Sequence, residues 1–343
     1  MNPDPPGDEP AIDNPTEPGG EAPPVPWRPG ASLFTIEGRP APALFVIAWL
    51  ASLLGLAITV AGALGGSTLL FFFVGPGLLS LGFIAACGNQ AFERRARGAS
   101  YSGPSPFLVF GTIVAVSYFV GSIIGFGLDV FVGERTVAPP MAQLILGLLT
   151  AVIFVGIIRL TVVGTGGLSW AEMRIHAPDS RTLEDLGRGA LLAVPVVLAT
   201  AFVGGVLIAI FRVQPTSPLP PTGTLSGLLI QLLVGAVIAP VAEEIVFRGF
   251  AITAWERGIG PSRAILRSSL LFALAHVINV EGSSLPEAVG LIIVGAASRL
   301  PVAYALGWVF VRRRSIWASI GLHSAFNAIL LLLGNLAINA AGG

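Results

Sequence analysis

The chain is a succession of apolar runs, each long enough to cross a bilayer, and this limits it to very few folds. A spanning helix needs roughly 20 apolar residues. Runs of that kind lie at about 43–64, 67–88, 106–132, 140–164, 188–211, 224–250, 264–281, 286–311 and 315–340. Lipid cannot hydrogen-bond a backbone, so such segments must be helices that pair their own N–H and C=O groups. The predicted fold class is therefore all-α, a polytopic transmembrane bundle of eight or nine spans. With 54% hydrophobic and 11% charged residues over 343 positions, no soluble core could hide so much apolar surface.

Arginine placement tests the span count. Arg94, Arg95 and Arg97 follow the second run, and Arg174, Arg181 and Arg188 the fourth. Arg257, Arg263 and Arg267 follow the sixth, and Arg312, Arg313 and Arg314 the eighth. The loops between carry little positive charge. By the positive-inside rule, the N-terminus is expected in the cytoplasm and the C-terminus outside. All 19 basic residues are arginine, which excludes a lysine nucleophile and fits a bacterial cell membrane. A net charge of zero gives no basic patch for nucleic acid. The single Cys87 excludes an internal disulfide and reads as packing.

Three regions are expected. Residues 1–40 form a Pro- and acid-rich tail that cannot bury enough apolar surface to fold, and it lacks the basic and apolar regions of a signal peptide. It reads as a disordered cytosolic extension. Residues 41–212 hold the first five spans, with a polar, amphipathic segment at 165–187 expected to lie on the membrane interface, Trp170 at headgroup depth. His176 there reads as a surface residue. Residues 213–343 hold the remaining spans and all the chemistry.

That chemistry starts with two adjacent glutamates in an apolar stretch, Ala239-Pro240-Val241-Ala242-Glu243-Glu244-Ile245-Val246-Phe247-Arg248-Gly249. Charge in a bilayer is costly and marks function by default. Glu244 and Arg248 are i, i+4 on one helix face and can pair. Glu243 points about 100° away and stays free. Pro240 removes a helix hydrogen bond just before the pair. Two of the three histidines, His276 and His323, come on later spans, and His323 shares a face with Asn327. If the sixth span ends near Gly249, all three segments bring polar groups roughly 10–13 Å inside the cytoplasmic end. That predicts a polar cavity near this side. Two imidazoles from separate helices can hold Zn2+, Glu243 can take a proton from the water it acidifies, and Asn327 can donate to an oxyanion.

Glu-Glu-x-x-x-Arg (Glu243, Glu244, Arg248), Phe-x-x-x-His (Phe272, His276) and His-x-x-x-Asn (His323, Asn327) resemble the motifs of the CPBP intramembrane metalloproteases, which include CAAX prenyl endopeptidases and bacteriocin-processing and immunity proteins. The resemblance covers about 225–335. It implies Glu243 as the water-activating base, Glu244 and Arg248 as supports, His276 and His323 as metal or water ligands, and Asn327 as stabiliser of the transition state. It implies a peptide or membrane-protein substrate and a peptide-bond hydrolysis. Two rival readings are a non-catalytic scaffold or immunity protein, and a proton- or metal-coupled transporter, although no paired half-repeat is evident. There is no His-Glu-x-x-His. Gly125-Phe126-Gly127-Leu128-Asp129 and Gly223-Thr224-Leu225-Ser226-Gly227 miss the aspartyl and rhomboid spacings. Arg299, mid-span before Pro301, is unexplained by the motifs. It is expected to break its helix, pair with Asp129 or a motif carboxylate, or bind an anionic substrate end. Phe272 reads as packing, and Glu281 and Glu287 as solvated residues of an outer loop.

Overall fold

The computed structural model describes residues 34–36, 39–132, 139–213, 222 and 224–341. Among them the chain is helical apart from one short antiparallel bridge, β1 (Thr35–Ile36) with β2 (Arg39–Pro40). Most of the expected disordered tail lies outside the described residues. Its last part does not match that expectation, because Phe34 is buried against Gly88. An aromatic ring with a glycine seat can anchor a chain end that composition alone reads as unfolded.

The described residues form nine helices. They are α1 (Leu44–Gly65), α2 (Leu70–Ala96), α3 (Pro106–Val132), α4 (Pro140–Val163), α5 (Thr182–Phe211), α6 (Leu225–Ile259), α7 (Pro261–Ala275), α8 (Leu285–Arg313) and α9 (Ile316–Ala341). Eight of them are long and apolar enough to cross a membrane; α7 is not. At 15 residues α7 extends roughly 22 Å, short of a roughly 30 Å hydrocarbon core. The apolar run at 264–281 thus overstates the helix, which stops at His276. Beyond it, Val277 and Val280 N–H groups close turns rather than continue the helical ladder.

The arginine-rich loops gather on one face. Arg95 donates to the Thr165 and Gly166 carbonyls at 3.0 Å. Arg257 pairs with Glu172 at 2.5 Å, Arg174 with Glu256 at 2.8 Å, and Arg313 with Asp185 at 2.6 Å. The segment before α5 is more than an interfacial strap. Leu168 and Met173 are buried in the main core, and Arg174 lies 4.5 Å from the centre of the Phe310 ring. His176 is exposed, as expected, and Cys87 is fully buried against Thr112.

Two packing modes position the site. Helix α5 meets α9 through glycines: a side chain on Gly189 would strike the Ala318 carbonyl, and one on Gly321 the Leu186 backbone. Backbones can come that close only where side chains are absent. This contact seats the turn of α9 that carries His323. Helix α6 is wound tightly only in part. Val234–Ile238 and Ile245–Ile252 are π-helical, with Ala239–Glu244 in ordinary α-helix between them. A π turn adds a residue and so rotates every later side chain about the helix axis, and such bulges concentrate at functional sites.

Candidate active site

The glutamate pair sits in the short α segment between the two π stretches. Glu244 faces inward. Its side chain and that of Arg248 are both 0% exposed and form an ion pair of 2.9 Å. Arg248 also donates to the Ala303 carbonyl of α8 at 3.2 Å. Its guanidinium lies 4.5 Å from the centre of the Phe272 ring. Burying a charge pair is costly unless its remaining hydrogen-bonding capacity is filled; here backbone, aromatic face and a histidine supply part of it, while Glu244 Oε2 and Arg248 Nε are left without a partner.

The histidine is His323. Its Nδ1 lies 2.8 Å from the same Glu244 oxygen that Arg248 holds. A carboxylate accepts only, so this contact assigns the proton to Nδ1. Nε2 of His323 then carries a lone pair. His276 obeys the same logic from another helix. Its Nδ1 is 2.8 Å from the Phe272 carbonyl one turn back, which again assigns the proton to Nδ1 and frees Nε2.

Both free nitrogens point at one atom. Oε2 of Glu243 is 3.9 Å from His276 Nε2 and 3.8 Å from His323 Nε2. Neither distance is a hydrogen bond, and this oxygen is buried without a hydrogen-bond partner. The three groups therefore surround a space rather than close it. Glu243 and His276 retain access to it, with side chains 21% and 27% exposed, against 4% for His323. Among the described residues no three His, Cys, Asp or Glu side chains stand close enough to cage an ion outright.

One cavity opens on Glu243 and a second lies beside it. One of about 280 Å³ is lined by Gln143, Gly147 and Thr150 of α4 and by Ala242 and Glu243 of α6. The other, about 720 Å³, is aromatic and lies among Phe72, Phe110, Tyr118, Phe126 and Phe154. It reaches Ala275, the residue before His276, and shares Thr150 and Phe154 with the smaller cavity.

The sequence motifs thus converge, with three adjustments. The expected depth of the site placed the end of the sixth span near Gly249. Instead α6 runs to Ile259, which puts Glu243 about 24 Å from that end. Arg248 does not terminate the helix because it is neutralised inside the protein. The amide nitrogen of Asn327 donates to the Gly235 carbonyl at 2.7 Å, a contact its motif spacing did not suggest. Phe272, read as packing, lies against both histidines and the Arg248 guanidinium. Its ring centre lies 4.4 Å from that of His276 and 5.8 Å from that of His323. Only its place in the Phe-x-x-x-His spacing hinted at this. Arg299 donates to the Gly295 carbonyl of its own helix at 2.7 Å. The side chain of Asp129, its other expected partner, lies outside the described residues.

The fold and this buried cluster define an integral membrane protein with a polar centre enclosed by its C-terminal helices. Residues 225–329 match the model of the Rce1-like family, described as type II CAAX prenyl endopeptidase Rce1-like. No curated protein and no solved structure matches the chain. Over residues 225–329, which lie within α6 to α9, the chain is similar to that family, in keeping with the resemblance its three motifs carry.

Proposed function

We propose that the protein is an intramembrane endopeptidase in which Glu243 activates a water molecule. The observation that carries this reading is the unpartnered Oε2 of Glu243 facing two imidazole lone pairs at 3.8–3.9 Å. A water in that space donates one proton to Glu243 as its oxygen attacks the peptide carbonyl carbon. The tetrahedral intermediate then collapses. The C–N bond breaks, and the proton held by Glu243 passes to the leaving amine nitrogen. Glu244 and Arg248 keep His323 in the tautomer that leaves Nε2 free toward Glu243.

The donor set also suits Zn2+. Each imidazole has its Nδ1 engaged by an acceptor, the usual arrangement that orients a metal-ligating histidine. His276 and His323 would hold the ion through Nε2. A bound zinc supplies a lowered water pKa and polarises the carbonyl. Glu243 remains the proton acceptor in either case. As substrate we propose a peptide or membrane-protein segment bearing an apolar group. That group would fit the aromatic cavity while the scissile bond lies beside Glu243. The name of the matching family makes a prenyl group the first one to try.

The test uses purified protein in proteoliposomes with internally quenched peptides, farnesylated or bare, with and without chelator. Glu243→Gln should lose cleavage by at least about a hundredfold, and His276→Ala should lose most of it. Cleavage that survives both substitutions would sink the mechanism. Function in cells that survives Glu243→Gln would favour a scaffold, and ion flux across the liposomes a transporter.

A further inference from the structure

Two buried side-chain oxygens that lack a hydrogen-bond partner line one cavity from different helices. They are Oε2 of Glu243 on α6 and Oε1 of Gln143 on α4. Between them the wall is apolar except for Thr150, whose hydroxyl donates to the Leu146 carbonyl of its own helix at 2.8 Å. A side-chain amide carries two donors and one acceptor, and leaving them unmet in an apolar setting is costly. Gln143 lies only about 5 Å inside the start of α4, so it stands near one end of the bundle. Helices α4 and α6 run parallel, since Arg174 beyond α4 pairs with Glu256 at the end of α6. Their levels match at Gly147, where a side chain would come 2.6 Å from Val234. From that level Glu243 lies toward the arginine-rich face and Gln143 away from it, roughly 20 Å apart along the helix axes.

We propose that the cleft between α4 and α6 is the path by which water reaches Glu243, and that the Gln143 amide is its first binding station. The inference rests on reading Glu243 as the base, which consumes one water per bond cut. Size favours water as the occupant. A file of waters about 2.8 Å apart needs about seven to cover the distance. At about 30 Å³ each, the cavity of about 280 Å³ takes about nine. A peptide strand of that length brings about six residues, each far larger than a water. An acyl chain suits the walls but leaves the amide and the carboxylate unmet. The chemistry agrees with the size. The amide can accept and donate, so it holds a water in either orientation, and Thr150 Oγ1 keeps a lone pair for one midway. The opposite direction is closed along α6. Between Glu243 and the arginine-rich face, Phe247, Phe250 and Trp255 are buried in the main core.

Two measurements test it. Gln143→Leu removes the station and should lower kcat roughly tenfold, with KM within about twofold of wild type. Its Tm should hold or rise, because an unmet buried amide goes with it, whereas loss of a packing residue would lower Tm. Gln143→Asn keeps an amide one methylene short and should fall between wild type and Gln143→Leu. The second measurement needs no cleavage. Radiolytic hydroxyl-radical labelling, read by mass spectrometry, modifies side chains beside internal water. It is run on Glu243→Gln with and without Gln143→Leu. Labelling of Phe154, which lines the cleft, should drop at least about fivefold with Gln143→Leu. Labelling of the exposed Met141 should stay constant. Thr150→Val, midway along the cleft, should give the same drop at Phe154. A kcat for Gln143→Leu within about twofold of wild type, or unchanged Phe154 labelling, would overturn the proposal. So would a rise in KM at constant kcat, which would place the amide at the substrate. If Gln143→Leu does not accumulate, the labelling of Thr150→Val decides alone. Unchanged labelling with Glu243→Gln inactive refutes this inference only, whereas cleavage by Glu243→Gln refutes the hydrolytic reading and leaves the labelling to judge the water path.

Discussion

The α1/α2 hairpin and the α6–α9 half solve one problem in opposite ways. Both must hold helices together where lipid is as apolar as the side chains and burial gives little drive. The hairpin uses shape. Gly55, Gly62, Gly75 and Gly82 let the two backbones touch. A side chain on Gly62 would come 2.6 Å from the Phe71 nitrogen, and one on Gly82 2.5 Å from the Ser52 nitrogen. None of these contacts involves a charged group. The α6–α9 half uses polarity, with Glu244, Arg248, His323 and the Ala303 carbonyl in one buried network. It is also more enclosed. The most apolar stretches of α6 and α9 are 39% and 44% buried, against 22% for α1 and 33% for α2. Shape tolerates lipid on the outer face, whereas a polar network must exclude lipid and water together. The enclosure is what leaves Glu243 beside a small, defined space.

This contrast can be broken most sharply at Arg248. Arg248→Leu leaves Glu244 buried and unpaired, and the expected destabilisation is about 3–5 kcal/mol. Thermal unfolding in detergent should show it as a large fall in Tm, with cleavage lost. The double change Glu244→Gln with Arg248→Met should unfold far less while remaining inactive, since it removes both charges together. If Arg248→Leu left Tm unchanged, the network would not be holding this half.

The hairpin predicts the reverse pattern. Gly82→Leu drives a side chain into the Ser52 backbone and should cost about 1–3 kcal/mol. Cleavage per folded molecule should stay within about twofold, because the α1/α2 seam does not touch the site. A loss of kcat matching that of a site variant would show that the halves are coupled. Gly321→Val is the control inside the polar half. It meets the Leu186 backbone, shifts the turn carrying His323, and should lower kcat together with Tm.

The smallest effect is expected on the arginine-rich face. Burial raises the pKa of Glu172, but the Ser169 N–H and hydroxyl and the Arg257 guanidinium outweigh it and hold this carboxyl below the usual carboxylate range. A depressed folded pKa contributes stability above the unfolded pKa and loses it as pH falls through the folded one. Glu172 and Arg257 are 48% and 32% exposed, so solvent screens the pair and its worth is below about 1 kcal/mol. Arg257→Gln should lower Tm slightly at neutral pH and low salt, and not at all in acid or at high salt.

Local spacing made much of the site legible. The Glu244–Arg248 pair comes from an i, i+4 offset, which fixes a shared face whatever the surroundings, and it survives the π winding that begins between the two residues. Contacts between helices were less legible. The nine apolar runs look alike in composition, so nothing in them tells which helix a given face meets. The two expected metal or water ligands, His276 and His323, were found as motif residues, but their tautomers depend on a carbonyl and on a carboxylate from different helices. Helix α7 looked like a full span because Val277 and Ile278 extend its apolar run past the point where its backbone ladder ends.

By itself, the sequence determined that this is a helical membrane protein. It also determined that the arginine-rich loops alternate, and that a Glu pair, two histidines and an asparagine lie in its C-terminal half, because these depend on composition and on spacing within one segment. Only the tertiary structure decided that Glu243 stands before two free imidazole nitrogens, that Arg248 is fully enclosed, and that Asn327 serves a carbonyl on α6. Those outcomes depend on which helices touch and at what rotation. That is set by glycine contacts and π turns, whose effects reach across the bundle rather than along the chain.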